Sequence, residues 1–306
     1  MDRRDFLHLS AAATLAGLPR PGGQDTAMLA TAPIPSTGER IPRIGLGTWQ
    51  TFDVAPGAAN AAARRRDLTE TLRVFVESGA TVIDSSPMYG ASEQVVGDLL
   101  TAANARGRCF LATKVWTSGE RRGVEQMEAS IGKLRAGRLD LMQIHNLVDW
   151  RTHLKTLRAW KDAGRIRYLG ITHYQASAIS DVAAIVRAER LDFVQLNLSL
   201  EEPQAATDFL QLCADRGVAF IANRPFGGGG AFGRVRGKAL PPWAGEYGID
   251  GWAQFFLKWV LSHPQVTCAI PGTGNPRHLT DNLGAARGRQ LDAEGRAGAQ
   301  RFWLAL

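Results

Sequence analysis

Four polar side chains end or follow apolar runs in this chain, where packing alone would not put them. Thr81-Val-Ile-Asp84 ends on a carboxylate, and Tyr89 follows five residues later. Cys109-Phe-Leu-Ala-Thr-Lys114 ends on an ammonium, and Leu139-Asp-Leu-Met-Gln-Ile-His145 ends on an imidazole. An ammonium at the end of an apolar strand costs several kcal/mol to bury unless a carboxylate answers it, and Asp84 is the natural partner for Lys114. A phenol with a free pKa of about 10 is a reluctant proton donor at neutral pH. A neighbouring ammonium is expected to lower that pKa by favouring phenolate. The set Asp84, Tyr89, Lys114 and His145 therefore suits delivery of a proton to a nascent alkoxide. In it Tyr89 is the acid/base, Asp84 holds Lys114 charged, and His145 donates a hydrogen bond to a carbonyl oxygen.

Such a set works only if its members converge, so the elements that carry them decide the matter. Short β-branched or apolar runs alternate with stretches of helical period from about residue 40 onward. The predicted strands are Ile44–Thr48, Thr81–Asp84, Cys109–Lys114, Leu139–His145, Arg167–Thr172, Phe193–Leu196, Ala219–Asn223 and Cys268–Pro271. The predicted helices are Asp67–Ser78, Ser92–Ala103, Val124–Leu134, His153–Ala163, Ala176–Arg187, Gln204–Arg216, Trp252–Ser262 and Pro276–Ala286. Eight strand–helix alternations predict an α/β fold closed as a (β/α)8 TIM barrel, with the working residues at the carboxyl ends of the strands. A doubly wound open sheet is the alternative, but no strand–Gly-x-Gly-x-x-Gly–helix opening supports it. The Gly227–Gly230 run reads as a mobile loop or cofactor clasp, and no Gly-Lys-Ser/Thr follows it to make a P-loop.

The chain resembles the aldo-keto reductase family. Asp84, Tyr89, Lys114 and His145 match the family's tetrad one for one, and its Asp-x-x-x-x-Tyr-Gly spacing is intact. Further matches are Gly45-Leu-Gly-Thr48-Trp49, Gly164-Arg-Ile-Arg-Tyr-Leu-Gly-Ile171 and Ile270-Pro-Gly-Thr273, so the resemblance spans roughly residues 40–290. It implies a nicotinamide cofactor that supplies the hydride chemistry and a small-molecule carbonyl or alcohol substrate. Gly47, Thr48, Asp84 and Gln195 are similar to nicotinamide-side contacts. The segment containing Gly272, Thr273, Arg277, His278, Asp281 and Asn282 is similar to the one that holds the adenosine phosphate and adenine.

Four positions depart from the family pattern. Thr172-His173 stands where Ser-Asn commonly binds the carboxamide. Asn223 replaces an aromatic ring that stacks on the nicotinamide, and Arg224 beside it is placed to reach a pyrophosphate. Gly272 replaces a Lys used for the 2′-phosphate, which leaves Arg277 and His278 to supply that charge. NADP(H) is expected over NAD(H) on this reading. Trp49 and Trp116 are candidates for lining a substrate pocket, with core packing as the alternative. A nucleotide-bound sensor barrel with vestigial turnover is the competing function, since the nicotinamide contacts are altered while the tetrad is intact.

The remaining features bound the problem. The 306 residues carry 36 basic and 29 acidic side chains, a formal charge of +7. Six of the 36 are Lys, leaving 30 Arg, and they are scattered rather than interleaved with aromatics. No nucleic-acid partner is therefore expected. Cys109, Cys213 and Cys268 have no paired spacing, and the histidines are isolated, so no metal is expected. No run of about 18 apolar residues predicts a membrane anchor. Residues 1–32 read as a leader. Arg3-Arg4-Asp5-Phe6-Leu7 precedes a weak Ala/Leu stretch and a Pro/Gly break at Pro19–Gly23, similar to a twin-arginine export signal. Residues 33–306 then form the barrel, with the export machinery as a partner and a periplasmic or exported location.

Overall fold

The computed structural model describes residues 28–306, and the twin-arginine segment expected near the start lies outside them. In chain order the elements are β1 (Thr31–Pro33), β2 (Arg40–Pro42), β3 (Leu46–Gly47), α1 (Ala61–Glu77), β4 (Val82–Asp84), α2 (Ser92–Ala102) and β5 (Phe110–Val115). There follow α3 (Glu120–Lys133), β6 (Leu139–His145), α4 (Trp150–Asp162), β7 (Ile166–Thr172), α5 (Ile179–Ala188), β8 (Phe193–Asn197), α6 (Asp208–Asp215) and β9 (Ala219–Asn223). The chain ends with α7 (Gly230–Arg234), α8 (Trp252–Leu261), β10 (Val266–Ala269), α9 (Pro276–Gly284) and α10 (Ala293–Ala305).

Strands β3 to β10 pair in sequence order, all parallel. Bridges Ile44–Ala269 and Gly47–Gly272 join the first strand to the last, with Gly45 N–H donating to Ala269 O at 2.8 Å and Gly47 N–H to Pro271 O at 3.0 Å. The sheet thus closes into the (β/α)8 barrel. Gly45 and Gly170 are required by the close approach of neighbouring backbone inside the barrel. A Cβ at Gly45 would sit 2.8 Å from Val82 O, and one at Gly170 would sit 2.7 Å from Phe193 O.

Period two along each strand sorts the side chains. Val82, Phe110, Ala112, Leu141, Tyr168, Phe193, Ala219, Ile221, Cys268 and Ile270 fill the barrel interior. Phe110 and Tyr168 stack at 5.8 Å, and Phe193 meets Tyr168 edge-on at 5.5 Å. Two residues further along the same inward rows come Asp84, Lys114, Gln143 and Gln195, all buried. The apolar layer is therefore a dry floor beneath the polar rim.

An antiparallel hairpin, β1 with β2, adds Ile34 and Ile41 to that interior cluster. Leu29 is buried in the outer core, and Ala30 bonds through its backbone to Ala286 and Arg43. The domain boundary expected after Ala32 falls inside this hairpin, and the folded unit takes in Leu29 to Ala32. The first predicted strand shortens to Leu46–Gly47 and the last shifts to Val266–Ala269. The Gly227–Gly230 run, expected as a loop, coils into a tight turn that leads into α7. All three cysteines are free and buried, and burial pushes the Cys109 thiol up to about 11.

Candidate active site

Strands β4, β5 and β6 deliver the tetrad to one end of the barrel. Lys114 Nζ donates to Asp84 Oδ2 at 2.6 Å and to the Ser85 carbonyl at 2.7 Å. The Lys114 side chain is fully buried. Asp84 Oδ1 accepts from Gln143 Nε2 at 3.2 Å and from Gln195 Nε2 at 3.0 Å. Thr172 Oγ1 donates to Gln195 Oε1 at 3.0 Å, which orients that amide toward the carboxylate. Five neighbouring strands thus converge on one ion pair.

Tyr89 sits above the pair, with Lys114 Nζ 5.0 Å from its ring centroid. The Tyr89 and His145 rings meet edge-on at 6.2 Å. Burial works against the Lys114 charge, but Asp84 and then Tyr89 raise its pKa above the ordinary value, so the ammonium stays charged. The expectation for the phenol is corrected. Burial raises the Tyr89 pKa, and the opposing pull of Lys114 does not overcome it, since Asp84 adds a further upward push. Desolvation outweighs the ammonium here because the ammonium is already spoken for by a carboxylate. Tyr89 is therefore a protonated phenol at neutral pH, the form that donates. His145 is depressed to about 3, first by burial and then by the Lys114 and His173 charges. It is a neutral imidazole at any working pH.

These residues open on a cavity of about 820 Å³. Asp84, Tyr89 and His145 line it, as do Gly47, Thr48, Gln195, Asn223, Arg224, Gly272, Thr273, His278, Asp281 and Asn282. Trp49 and Trp116 stand at its mouth, 45% and 38% exposed, so they line the cavity and are not core. Thr172, His173 and Arg277 are not among the lining residues. Thr172 acts behind Gln195, and His173 stacks on Tyr174 at 5.7 Å. Arg277 lies exposed in the first turn of α9, where the Asn275 side chain caps its backbone N–H at 2.9 Å.

Several lining residues carry no sequence signal. Met88, Tyr174, Phe226, Phe232 and Trp252 come from loops, α7 and α8 to surround the cavity. A recess lined by Thr51, Arg64, Asp67, Gly274 and Asn275 adjoins the cavity, sharing Thr51, Gly272, Thr273 and His278 with it. Arg64 belongs to an Arg64-Arg65-Arg66 run on α1 that reads as an ordinary solvated face. Arg224 holds a left-handed backbone, φ 47°, and strain of this kind gathers at functional sites. Its buried Nε has no partner among the described residues, nor does Asn223 Oδ1. Both residues also line the cavity, and buried polar atoms left without partners are uncommon enough to mark the place. Gly47 leaves bare backbone there, since a Cβ would meet Ile270 O at 2.8 Å. No group of three metal-ligating side chains occurs among the described residues, and no helix among them is long and apolar enough to cross a membrane.

The aldo/keto reductase family model matches residues 43–298. Methylglyoxal reductase YeaE of Escherichia coli is 26% identical over 250 residues, covering 79% of this chain and 84% of that protein. Aldo-keto reductase yakc [NADP(+)] of Schizosaccharomyces pombe is 25% identical over 302 residues, covering 83% and 86%. Among solved structures, an aldo/keto reductase from Klebsiella pneumoniae in complex with NADP and acetate superposes with a TM-score of 0.73 at 25% identity. It covers 87% of this chain and 93% of that one. The chain belongs to the aldo/keto reductase family and is an NAD(P)H-dependent oxidoreductase.

Proposed function

We propose that this protein reduces a small carbonyl compound with NADP(H), Tyr89 being the general acid/base and Lys114, Asp84 and His145 its support. The observation that carries the reading is the buried Lys114–Asp84 pair, 2.6 Å apart, directly beneath a protonated Tyr89 and beside a neutral His145. A nicotinamide bound in the cavity would supply the hydride. Tyr89 gives its hydroxyl proton to the oxygen that becomes the alcohol, and the phenolate left behind is stabilised by Lys114. His145 donates to the same oxygen and fixes the pose of the carbonyl. The floor of Phe110, Tyr168 and Phe193 keeps water from the underside of the pair. Gln195 and Asn223 line the cavity where the carboxamide would lie, and Arg224 on the same wall would meet the pyrophosphate. The reading as a whole is tested by single-turnover hydride transfer.

The preference for NADP(H) rests on the relatives' cofactor and on the cations around the recess. With Gly272 in place of Lys, Arg64 in the recess and Arg277, exposed in the first turn of α9 outside it, are the arginines left to meet a 2′-phosphate, with His278 between cavity and recess. Replacing both arginines by Ala should weaken NADPH binding by about 1.5–3 kcal/mol, the range for a charge-assisted hydrogen bond, and leave NADH nearly unchanged. Titration calorimetry with the two nucleotides checks this. Equal losses for both would place the discrimination elsewhere.

Export through the twin-arginine route rests on Arg3-Arg4-Asp5-Phe6-Leu7 and the weak apolar stretch that follows it. Processing that leaves the barrel whole must fall before Leu29, because cleavage after Ala32 would remove most of β1 and a buried Leu. Arg3→Lys with Arg4→Lys should leave folded, active protein in the cytoplasm. Undiminished export of that double variant, followed by fractionation, would refute the assignment.

A further inference from the structure

The proposed mechanism needs His145 to present an N–H to the carbonyl oxygen, and which ring nitrogen carries the proton depends on the ring's neighbours. A neutral imidazole has one donor and one acceptor, and the partner of one nitrogen decides the role of the other. His145 Nδ1 lies 3.2 Å from Ser86 Oγ, a buried contact. Ser86 belongs to the segment between Asp84 and Tyr89 and is fully buried. Its Oγ also accepts the Met88 backbone N–H at 3.3 Å.

That second bond settles the direction of the first. A backbone N–H can only donate, so the Ser86 oxygen spends a lone pair on Met88 and keeps its own proton to give. No third polar atom among the described residues bonds to this hydroxyl. Were His145 protonated on Nδ1, both of its neighbours would donate to Ser86, and the hydroxyl proton would be buried without an acceptor. Unmade hydrogen bonds of buried groups are more costly than made ones are favourable. The arrangement with every group satisfied has Ser86 donating to Nδ1 and the ring proton on Nε2, the nitrogen on the side away from Ser86.

We propose that Ser86 is a positioning residue for the reaction: its hydroxyl fixes His145 as the Nε2–H tautomer and thereby makes it a hydrogen-bond donor to the substrate oxygen. The proposal rests on the carbonyl-reductase reading for its consequence but not for its geometry. Ser86 touches neither substrate nor cofactor in this role. Without its hydroxyl, Nδ1 is free to take the proton, and Nε2 then turns a lone pair toward the carbonyl, which repels it.

The experiment reads the tautomer directly. Nitrogen-15 NMR of the full-length protein, with the His145 signals assigned by their loss in His145→Asn, should show Nδ1 unprotonated and Nε2 protonated in the parent. Ser86→Ala should redistribute the proton between the two nitrogens, whereas Ser86→Thr, which keeps a hydroxyl, should restore the parent pattern. The kcat of Ser86→Ala should fall about 10-fold, less than the full loss of an oxyanion donor, with nucleotide affinity unchanged. A parent spectrum with the proton on Nδ1 overturns the proposal even if the variants do not fold. An unchanged tautomer in folded Ser86→Ala overturns it as well. Because the spectrum is read without turnover, its outcome is separate from whether the protein proves to be a carbonyl reductase.

Discussion

Tyr89→Phe should fold, bind nucleotide as the parent does, and lose carbonyl reduction by about 10²–10⁴-fold, the contribution of a positioned acid/base group. The substitution removes one oxygen and keeps the ring that meets His145 edge-on and lies over Lys114. No hydrogen bond that holds the barrel together passes through that oxygen, since the Lys114–Asp84 pair and its two glutamine partners are complete without it. The loss should therefore appear in kcat and not in stability or nucleotide affinity. Pre-steady-state rates and a melting curve on the same preparation separate the two. Near-parental turnover in the folded variant, measured where the chemical step limits the rate, would remove Tyr89 from the mechanism.

The second large effect is structural as well as chemical. Lys114→Met deletes the cation that answers a buried Asp84, and breaking one side of a buried pair costs about 3–5 kcal/mol. The two amides on Asp84 Oδ1 remain, so a loss near the lower end is expected in denaturant titration. The chemical consequence has a definite sign. Lys114 pulls the Tyr89 pKa down against burial and Asp84, so its removal lets that pKa climb. In the alcohol-oxidising direction the phenolate is the base, and the rising limb of the pH–rate profile should move to higher pH in the variant. An unmoved limb would mean that Lys114 does not tune the phenol.

The convergence of Asp84, Lys114 and His145 was legible in the sequence because two simple constraints meet there. Period two puts Asp84, Lys114 and His145 on inward rows above apolar neighbours, and a charged residue in such a row is too costly to be accidental. The eight strands were legible for the same reason, each being a short apolar run between helical periods. What escaped detection has other causes. The β1–β2 hairpin is made of three-residue strands, each ending in Pro, with no alternation to read, so Leu29 to Ala32 passed for leader. Helix α10 is held by contacts distant in the chain, among them Trp303, which packs on Phe256 at 5.6 Å, 47 residues away. The cavity wall of Met88, Tyr174, Phe226, Phe232 and Trp252 is assembled from loops and the short or leading turns of α7 and α8, and such pieces leave no period to read. Arg64 is hidden in a run whose charge gives no hint of what it faces. The sign of the Tyr89 shift was misjudged because the sequence shows the neighbouring charges but not how much water each group loses.

The central claim is hydride transfer to a carbonyl at the Tyr89 site, and one measurement reaches it without knowledge of the natural substrate. Protein loaded with NADPH deuterated at the transferable position is mixed with a panel of aldehydes and ketones under single-turnover conditions, alongside Tyr89→Phe. Bound nucleotide should be oxidised, deuterium should appear on the carbinol carbon of the product, and the variant should keep its nucleotide reduced on the same timescale. Bound nucleotide that stays reduced before every carbonyl tried, in a protein shown to be folded and saturated, would contradict it and leave a nucleotide-binding sensor in its place.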